Sequence, residues 1–545
     1  MKRLILFLLL VLILALYSFP LMDPDLWWHI KTGEFICANL SLPDEDPFSF
    51  VTENSVRTDF ILKQYWLAQV LYFGLFKIGG FWGLIAIRIT IYLLIFALFL
   101  SLAKDLNYYL KTALLGFLIF GLYYYINDRP SALSFLFFAA ELYILKKEKF
   151  WLMPLLMLIW SNCHGGFIIG DALLLIWVFY GTMKGGLRGR ALLFLVFGLF
   201  LSLVNPNTFK AFTLTFDTLS GDYAKNIIEF KSPLYIYKTY GPVWLIYLAV
   251  SITGIVALLL PRIKQISVRD IIIVTALIAG TVKHFRLAPF LYIAISFLSA
   301  DYLKAYNIKI PSRLWRVDMA VTVLLIALLI IFRPHGKPEP FLFTTYPVDG
   351  AEFILKEKPE KNIFNSFEWG GYLILKLYPE YKVFMDTRAL SMNAYTLLQR
   401  IETTADIKVL SKLNINTVIL YVINPFLLSE VPTLIQPLHD SKDWELVFLK
   451  DTTAIFLRNT EKNRPIIEKY KIPKDDVYRQ MVLLSALFLR ANKNNPYLYF
   501  ILGDTYVLLK DFEKAKQAYD AGLQIKSSKK IQGKIKEIER KMPLR

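Results

Sequence analysis

The chain has 545 residues, 56% of them hydrophobic and 19% charged, with a formal net charge of +18 and only two cysteines, Cys37 and Cys163. Two cysteines provide neither a disulfide framework nor a Cys-rich metal site, and two unpaired thiols are expected. The basic excess sits mostly in short loops between apolar runs, the pattern that orients membrane segments, so nucleic acid is discounted as a partner.

Apolar runs dominate up to Arg333 and are sparse after it, which implies a membrane half followed by a water-soluble part of roughly 210 residues. The runs are Leu4 to Met22, Trp82 to Ala103, Thr112 to Ile126, Ala132 to Leu145, Phe150 to Ser161 and Gly166 to Met183. They continue with Ala191 to Val204, Pro242 to Leu260, Ile271 to Val282, Leu287 to Leu303 and Met319 to Phe332, about eleven spans. The first run lacks a small-residue cleavage site and reads as a retained span. Gln64 to Gly80 reads as an interfacial helix, because counting it as a span inverts everything downstream. With it set aside, the dense basic clusters from Lys2 and Arg3 through Lys146, Lys147 and Lys149 to Lys304, Lys309, Arg313 and Arg316 fall on one side. The expectation is an integral plasma- or inner-membrane protein with a cytoplasmic N-terminus and everything after Arg333 exoplasmic. Three regions follow: a membrane domain at 1–332 with a large first outer loop at 23–81, an exoplasmic α/β domain at 333–460, and a helical region at 461–545.

Polar clusters gather at the outer ends of the spans. The sharpest is Asp23-Pro24-Asp25-Leu26-Trp27-Trp28-His29, followed in the same loop by Pro43-Asp44-Glu45-Asp46-Pro47-Phe48-Ser49. Two carboxylates one residue apart can bind a divalent cation, magnesium or manganese, or one can serve as general base for an incoming hydroxyl or amide. Trp27 and Trp28 suit the headgroup region and can also stack on a sugar face, and the plain reading is a span exit with interfacial aromatics. Arg129, His164, His284 and Arg286 are the cations available to a lipid phosphate; capping helix ends is their plain alternative. Glu141, Asp171 and Asp301 lie inside or at the edges of runs, where charges mark ion or substrate pathways.

In the soluble part, strands are expected at Asn362 to Ser366, Lys382 to Asp386, Thr417 to Tyr421, Glu445 to Leu449 and Ala454 to Leu457, alternating with helices. Gly370-Gly371 can begin a helix near a strand end. Asp386 would close the next strand of an open parallel sheet, where ligands gather, and with Arg388 forms either a turn ion pair or part of a site. Asn495 to Lys529 fits one tetratricopeptide-like unit, with Tyr499, Leu502, Gly503, Tyr506, Ala515, Tyr519 and Gly522 at packing positions. Val477 to Ala491 is expected to pack against it, and the basic tail from Lys526 to cap it or reach anionic lipid. Its expected role is docking a protein partner or bracing the α/β domain.

A first span, an acidic motif opening a large first outer loop, many further spans and a C-terminal exoplasmic domain together resemble the GT-C class of glycosyltransferases. That class includes protein O-mannosyltransferases, aminoarabinose transferases and the catalytic subunit of oligosaccharyltransferase. The resemblance implies a sugar donor on a polyprenyl phosphate or diphosphate, with Asp23 or Asp25 binding metal or activating the acceptor, and inversion at the anomeric carbon. Glu368-Trp369-Gly370-Gly371-Tyr372, followed by Asp386-Thr387-Arg388, is similar in placement to the acceptor-reading Trp-Trp-Asp-Tyr-Gly segment of oligosaccharyltransferase. It departs from that pattern in having Trp369 where the family has Asp. Two other classes stand beside this reading: a transporter or flippase of a lipid-linked glycan, and a non-catalytic scaffold of envelope glycan assembly.

Overall fold

The computed structural model describes residues 21–123, 125–220, 230–235, 264–304, 346–424 and 434–541, with Tyr17 and Thr253. The described residues are mostly helical with one small sheet, and the chain divides into two compact units. One comprises Met1–Asp44 and Asp59–Glu339, the other Glu45–Thr58 and Pro340–Arg545. The expected spans Pro242 to Leu260 apart from Thr253, Met319 to Phe332, and Leu4 to Met22 apart from Tyr17, Leu21 and Met22, lie outside the described residues.

The first unit is helical among the described residues. Its elements are α1 (Asp25–Asn39), α2 (Val56–Gln64, entered from the other unit), α3 (Trp66–Leu102), α4 (Tyr108–Tyr123), α5 (Ser131–Lys146) and α6 (Met153–Cys163). Then come α7 (Phe167–Met183), α8 (Gly189–Ser202), α9 (Lys210–Ser220), α10 (Val268–Lys283) and α11 (Ala288–Leu303). The 37-residue α3 is long and apolar enough to cross a membrane, and Tyr108–Tyr123, Phe150–Cys163, Phe167–Met183 and Gly189–Ser202 are shorter apolar helices. Helix α3 breaks at Gly80, whose φ of 55° with ψ of −141° is a conformation that glycine alone takes without strain. Trp66–Leu102 is therefore two helices joined across a kink at Gly80, and the expected helix Gln64 to Gly80 and the expected span Trp82 to Ala103 meet at that kink. Packing runs α1 on α3, α3 on α5, α6 on α8, and α11 against α4, α5 and α10. Helix α11 is buried along almost its whole length. By contrast, Phe179, Met183, Leu193 and Phe200 on α7 and α8 stand exposed, as side chains facing lipid would.

The second unit is built on a four-stranded sheet of β1 (Ile363–Asn365), β2 (Thr417–Tyr421), β3 (Trp444–Lys450) and β4 (Thr453–Arg458), in spatial order β1-β2-β4-β3. Only β1 and β2 are parallel; β2–β4 and β3–β4 are antiparallel, so the sheet is mixed rather than the open parallel sheet expected. The expected strand Lys382 to Asp386 forms only isolated bridges, from Val383 to Ile363 and to Ser49. The Asn365 side chain takes the place of a ladder there: its oxygen accepts from Phe384 N–H at 3.0 Å and its amide donates to the Met385 carbonyl at 2.8 Å.

Around the sheet lie α12 (Val348–Glu357), α13 (Gly370–Leu377), α14 (Met392–Thr404), α15 (Lys408–Lys412), α16 (Ile435–Asp440) and α17 (Arg464–Tyr470). Helix α13 begins at Gly370, as the sequence suggested, and a Cβ there would lie 2.3 Å from the Met385 carbonyl oxygen. Ser391 caps α14 by accepting from Ala394 N–H. The chain ends in α18 (Asp476–Ala491), α19 (Pro496–Leu508), α20 (Phe512–Ile525) and α21 (Lys529–Lys541). The α19–α20 hairpin buries Phe500, Ala515 and Tyr519, and α18 packs on α19. The basic tail is itself helical: α21 closes the hairpin with Ile531 and Ile538 buried.

Candidate active site

The acidic motif forms a compact turn in the first unit. Asp23 Oδ1 accepts the N–H of Asp25 at 3.0 Å, and Pro24, with φ of −65° fixed by its ring, leads into α1. Asp25 occupies the first helical turn, where a negative charge is favoured. The two carboxylates thereby present together, and Arg129 bridges them: Nε lies 3.1 Å from Asp23 and Nη1 2.5 Å from Asp25. All three are partly accessible, at 11%, 17% and 22% for the Asp23, Asp25 and Arg129 side chains.

Arg129 is held in turn by its own loop. Asn127 Oδ1 accepts from Ser131 Oγ and from Arg129 N–H, and the preceding Asp128 is buried in an ion pair with Arg88 at 2.8 Å. Arg88 sits within α3 and also donates from Nε to the Tyr17 carbonyl. Burial pushes the Asp23 carboxyl up to about 7; Arg129 pulls against this, while Asp25 and Asp128 push the same way. Asp128 is likewise raised by burial, against the pull of Arg88.

His164 stands in the turn between α6 and α7. Gly166 N–H donates to its Nδ1 at 2.9 Å, and Ser134 Oγ lies 2.8 Å from the same nitrogen while accepting from Trp160 Nε1. Nδ1 is thus an acceptor, which leaves the proton of a neutral ring on Nε2. Burial first, then the charges of Arg286, Arg129 and His29, hold this imidazole well below its ordinary value, so it is neutral at pH 7. The Tyr65 ring stands by both histidines, 5.2 Å from that of His29 and 5.7 Å from that of His164. His284 is less involved: Nδ1 lies 2.9 Å from the Phe230 carbonyl, and the Arg286 guanidinium sits over the Phe230 ring at 5.3 Å.

The other expected contact residues have different settings. Trp27, Trp28 and His29 are buried in α1, where His29 stacks on Trp28 at 3.5 Å and meets Gln69 at 3.4 Å. Their faces lie against protein rather than toward headgroups or a sugar. Trp369 is fully buried against Tyr421 at 3.9 Å, and Tyr372 stacks on Tyr346, so both are packing residues of the second unit. Asp386 and Arg388 form the turn ion pair of the two readings offered by the sequence. Arg388 bonds Asp386 at 2.7 Å and also Asp46 of the first loop at 3.0 Å, all three buried. Ser49 Oγ donates to Asp386 at 3.3 Å, and Val383 exchanges backbone hydrogen bonds with Phe48 and Phe50.

Sequence reasoning passed over Arg88, Tyr65, Gln69, Ser134 and Trp160, which support the site from inside apolar runs or beside them. Arg88 was the findable one, a lone charge in the run Trp82 to Ala103. A cavity of about 560 Å³ opens beside Asn162, Trp66 and Pro206, away from the Asp23–Asp25 turn. Among the described residues no three His, Cys, Asp or Glu side chains group as for a metal ion. Asp23 and Asp25 alone are a thin donor set, and the Arg129 guanidinium already lies between them.

Solved structures resemble the chain in layout. One of them is that of ArnT from Cupriavidus metallidurans in the apo state, with a TM-score of 0.47 and 11% identity over 83% of this chain and 97% of that one. A likeness at this level assigns neither a family nor a role to any residue. No family model and no curated protein matches the chain.

Proposed function

We infer that the protein is an integral membrane glycosyltransferase of the GT-C type, moving a sugar from a polyprenyl-phosphate-linked donor to an exoplasmic glycan, lipid or protein. The observation that supports this reading is the meeting of Asp23 and Asp25 with Arg129; the charges of Arg129 and Arg286 both act on His164. Asp23 is the general base. A carboxyl that titrates near 7 is half ionised at neutral pH and basic enough to take a proton. It removes the acceptor hydroxyl proton as that oxygen bonds to the anomeric carbon from the face opposite the donor phosphate. The bond from that carbon to the phosphate oxygen breaks, and its electron pair leaves with the polyprenyl phosphate. Arg129 and Arg286 meet the growing phosphate charge, and His164 contributes a neutral Nε2–H donor. A magnesium or manganese ion at Asp23 and Asp25 would have to displace Arg129, so in this reading the guanidinium supplies the positive charge there. The helical C-terminus is assigned to docking a protein partner.

The test is sugar transfer from radiolabelled polyprenyl-phosphate donors in membranes carrying wild type, Asp23→Asn or Asp25→Asn, with EDTA as a parallel arm. Loss of transfer in Asp23→Asn by roughly 10²–10⁴-fold, with the protein folded, supports the reading. Wild-type transfer in both variants refutes it, and loss in EDTA alone moves the ion into the mechanism. The transporter or flippase reading has one observation in its favour, the buried carboxylates Glu141 and Asp171 on membrane helices. It predicts donor-lipid movement across liposomes without transfer.

A further inference from the structure

Glu141 on α5 and Asp171 on α7 have no part in that chemistry. Glu141 is wholly buried, Asp171 is 4% exposed, and the charge of Asp171 acts on Glu141. The Glu141 carboxyl lies against α7 at Gly170, the residue before Asp171: a Cβ there would lie 2.9 Å from Glu141 Oε2 and 2.4 Å from the Trp160 ring. Among the described residues no donor reaches either oxygen of Glu141 or Oδ1 of Asp171. Oδ2 of Asp171 meets Ser202 Oγ at 2.9 Å, but that hydroxyl has one proton and a second acceptor, the Leu199 carbonyl at 2.8 Å. Lys146, on the same helix as Glu141, is committed to Asp301 at 2.6 Å. The cluster is therefore rich in lone pairs and short of positive charge, in a setting where an uncompensated carboxylate costs several kcal/mol. Oxygen ligands of this kind suit a hard cation.

We propose that Glu141, Asp171 and the Ser202 hydroxyl form an intramembrane binding site for a small hard cation, with sodium as the probe. Carboxylates from α5 and α7 and a hydroxyl from the end of α8 then converge on one ion, and its binding ties the three helices together. The site lies within the helix bundle and is independent of whether Asp23 transfers sugar.

The experiment uses the full chain in lipid nanodiscs and reads equilibrium binding of radioactive sodium together with thermal unfolding. Unfolding is compared in sodium chloride and N-methyl-D-glucamine chloride at equal ionic strength. Wild type is expected to bind sodium saturably and to melt at higher temperature as sodium rises. Glu141→Gln and Asp171→Asn are each expected to weaken binding by at least about tenfold. Asp301→Asn, at a carboxylate already paired with Lys146 and Lys304, is expected to bind as wild type does. Ser202→Ala removes one ligand without changing charge and is read if the carboxylate variants fail to fold; it too is expected to weaken binding. Absence of saturable binding by wild type overturns the proposal, as does wild-type binding in the folded variants. Melting that follows pH but not sodium assigns the pair to a proton and equally overturns it.

Discussion

Two aspartates bridged by one arginine occur twice among the described residues, and the two sites have different settings. In the first unit Arg129 spans Asp23 and Asp25, with all three side chains in reach of solvent. In the second unit Arg388 spans Asp386 and Asp46, each side chain only 1–2% exposed. The sealed triad has its lone pairs taken up internally: Asp386 Oδ1 accepts from Arg388 N–H and Asp46 Oδ1 from Phe48 N–H, with Ser49 and Thr52 adding further bonds. It fastens the stretch Glu45–Thr58 to the α/β fold. The open triad has one carboxyl raised to about 7, the condition of a group that can exchange a proton. Identical residue types thus serve as a fastener where burial is complete and as a candidate reaction centre where it is partial.

The largest effect expected outside the reaction itself comes from breaking the sealed triad. Arg388→Met leaves two buried carboxylates without their cation and is expected to destabilise the second unit by about 3–5 kcal/mol, read by denaturant unfolding. If it costs less than the open-triad change Arg129→Met, the distinction drawn here fails. Gly370→Ala should cost about 1–3 kcal/mol, because its methyl would meet the Met385 carbonyl beside Asp386; the same unfolding experiment measures it. Arg129→Lys keeps the charge but loses the fork that reaches both aspartates, and should lower transfer about tenfold with little change in melting. A fall in melting temperature as large as that of Arg388→Met would mark Arg129 as structural.

The smallest effect is the pH dependence of stability. The folded-state Asp23 carboxyl is raised above its ordinary value, so its contribution is fully present below about 4 and is lost as pH rises through about 7. Transfer should instead rise across the same interval, as the base form fills. Asp23→Asn should flatten the stability slope, and melting curves from pH 4 to 8 would show whether it does.

The parts of this arrangement differ in how legible they are in the sequence. Apolar length revealed α3 to α8, α10 and α11 but not α1, α2 or α9, and alternation revealed β1, β2, β3 and β4 within a residue or two at their ends. The Lys382 to Asp386 stretch has the composition of a strand, yet the Asn365 side chain bonds its backbone from a distant position, and pattern reading sees only neighbours in sequence. Asp23, Asp25 and Arg129 were each singled out, but their bridge joins positions far apart in the chain. The same holds for Asp46 and Arg388, which lie far apart in the chain and pair within the second unit. The tryptophans of the acidic motif misled for a physical reason. Helix α1 turns them inward against α3, whereas a span exit would have left them at an interface.

The most direct measurement compares Asp23→Asn with Asp386→Asn in the same membranes, recording sugar transfer and thermal unfolding for each. Asp23→Asn is expected to abolish transfer while melting is kept, and Asp386→Asn to lower melting while the molecules that remain folded still transfer. Equal loss of transfer per folded molecule in both, or full transfer by Asp23→Asn, would contradict that expectation.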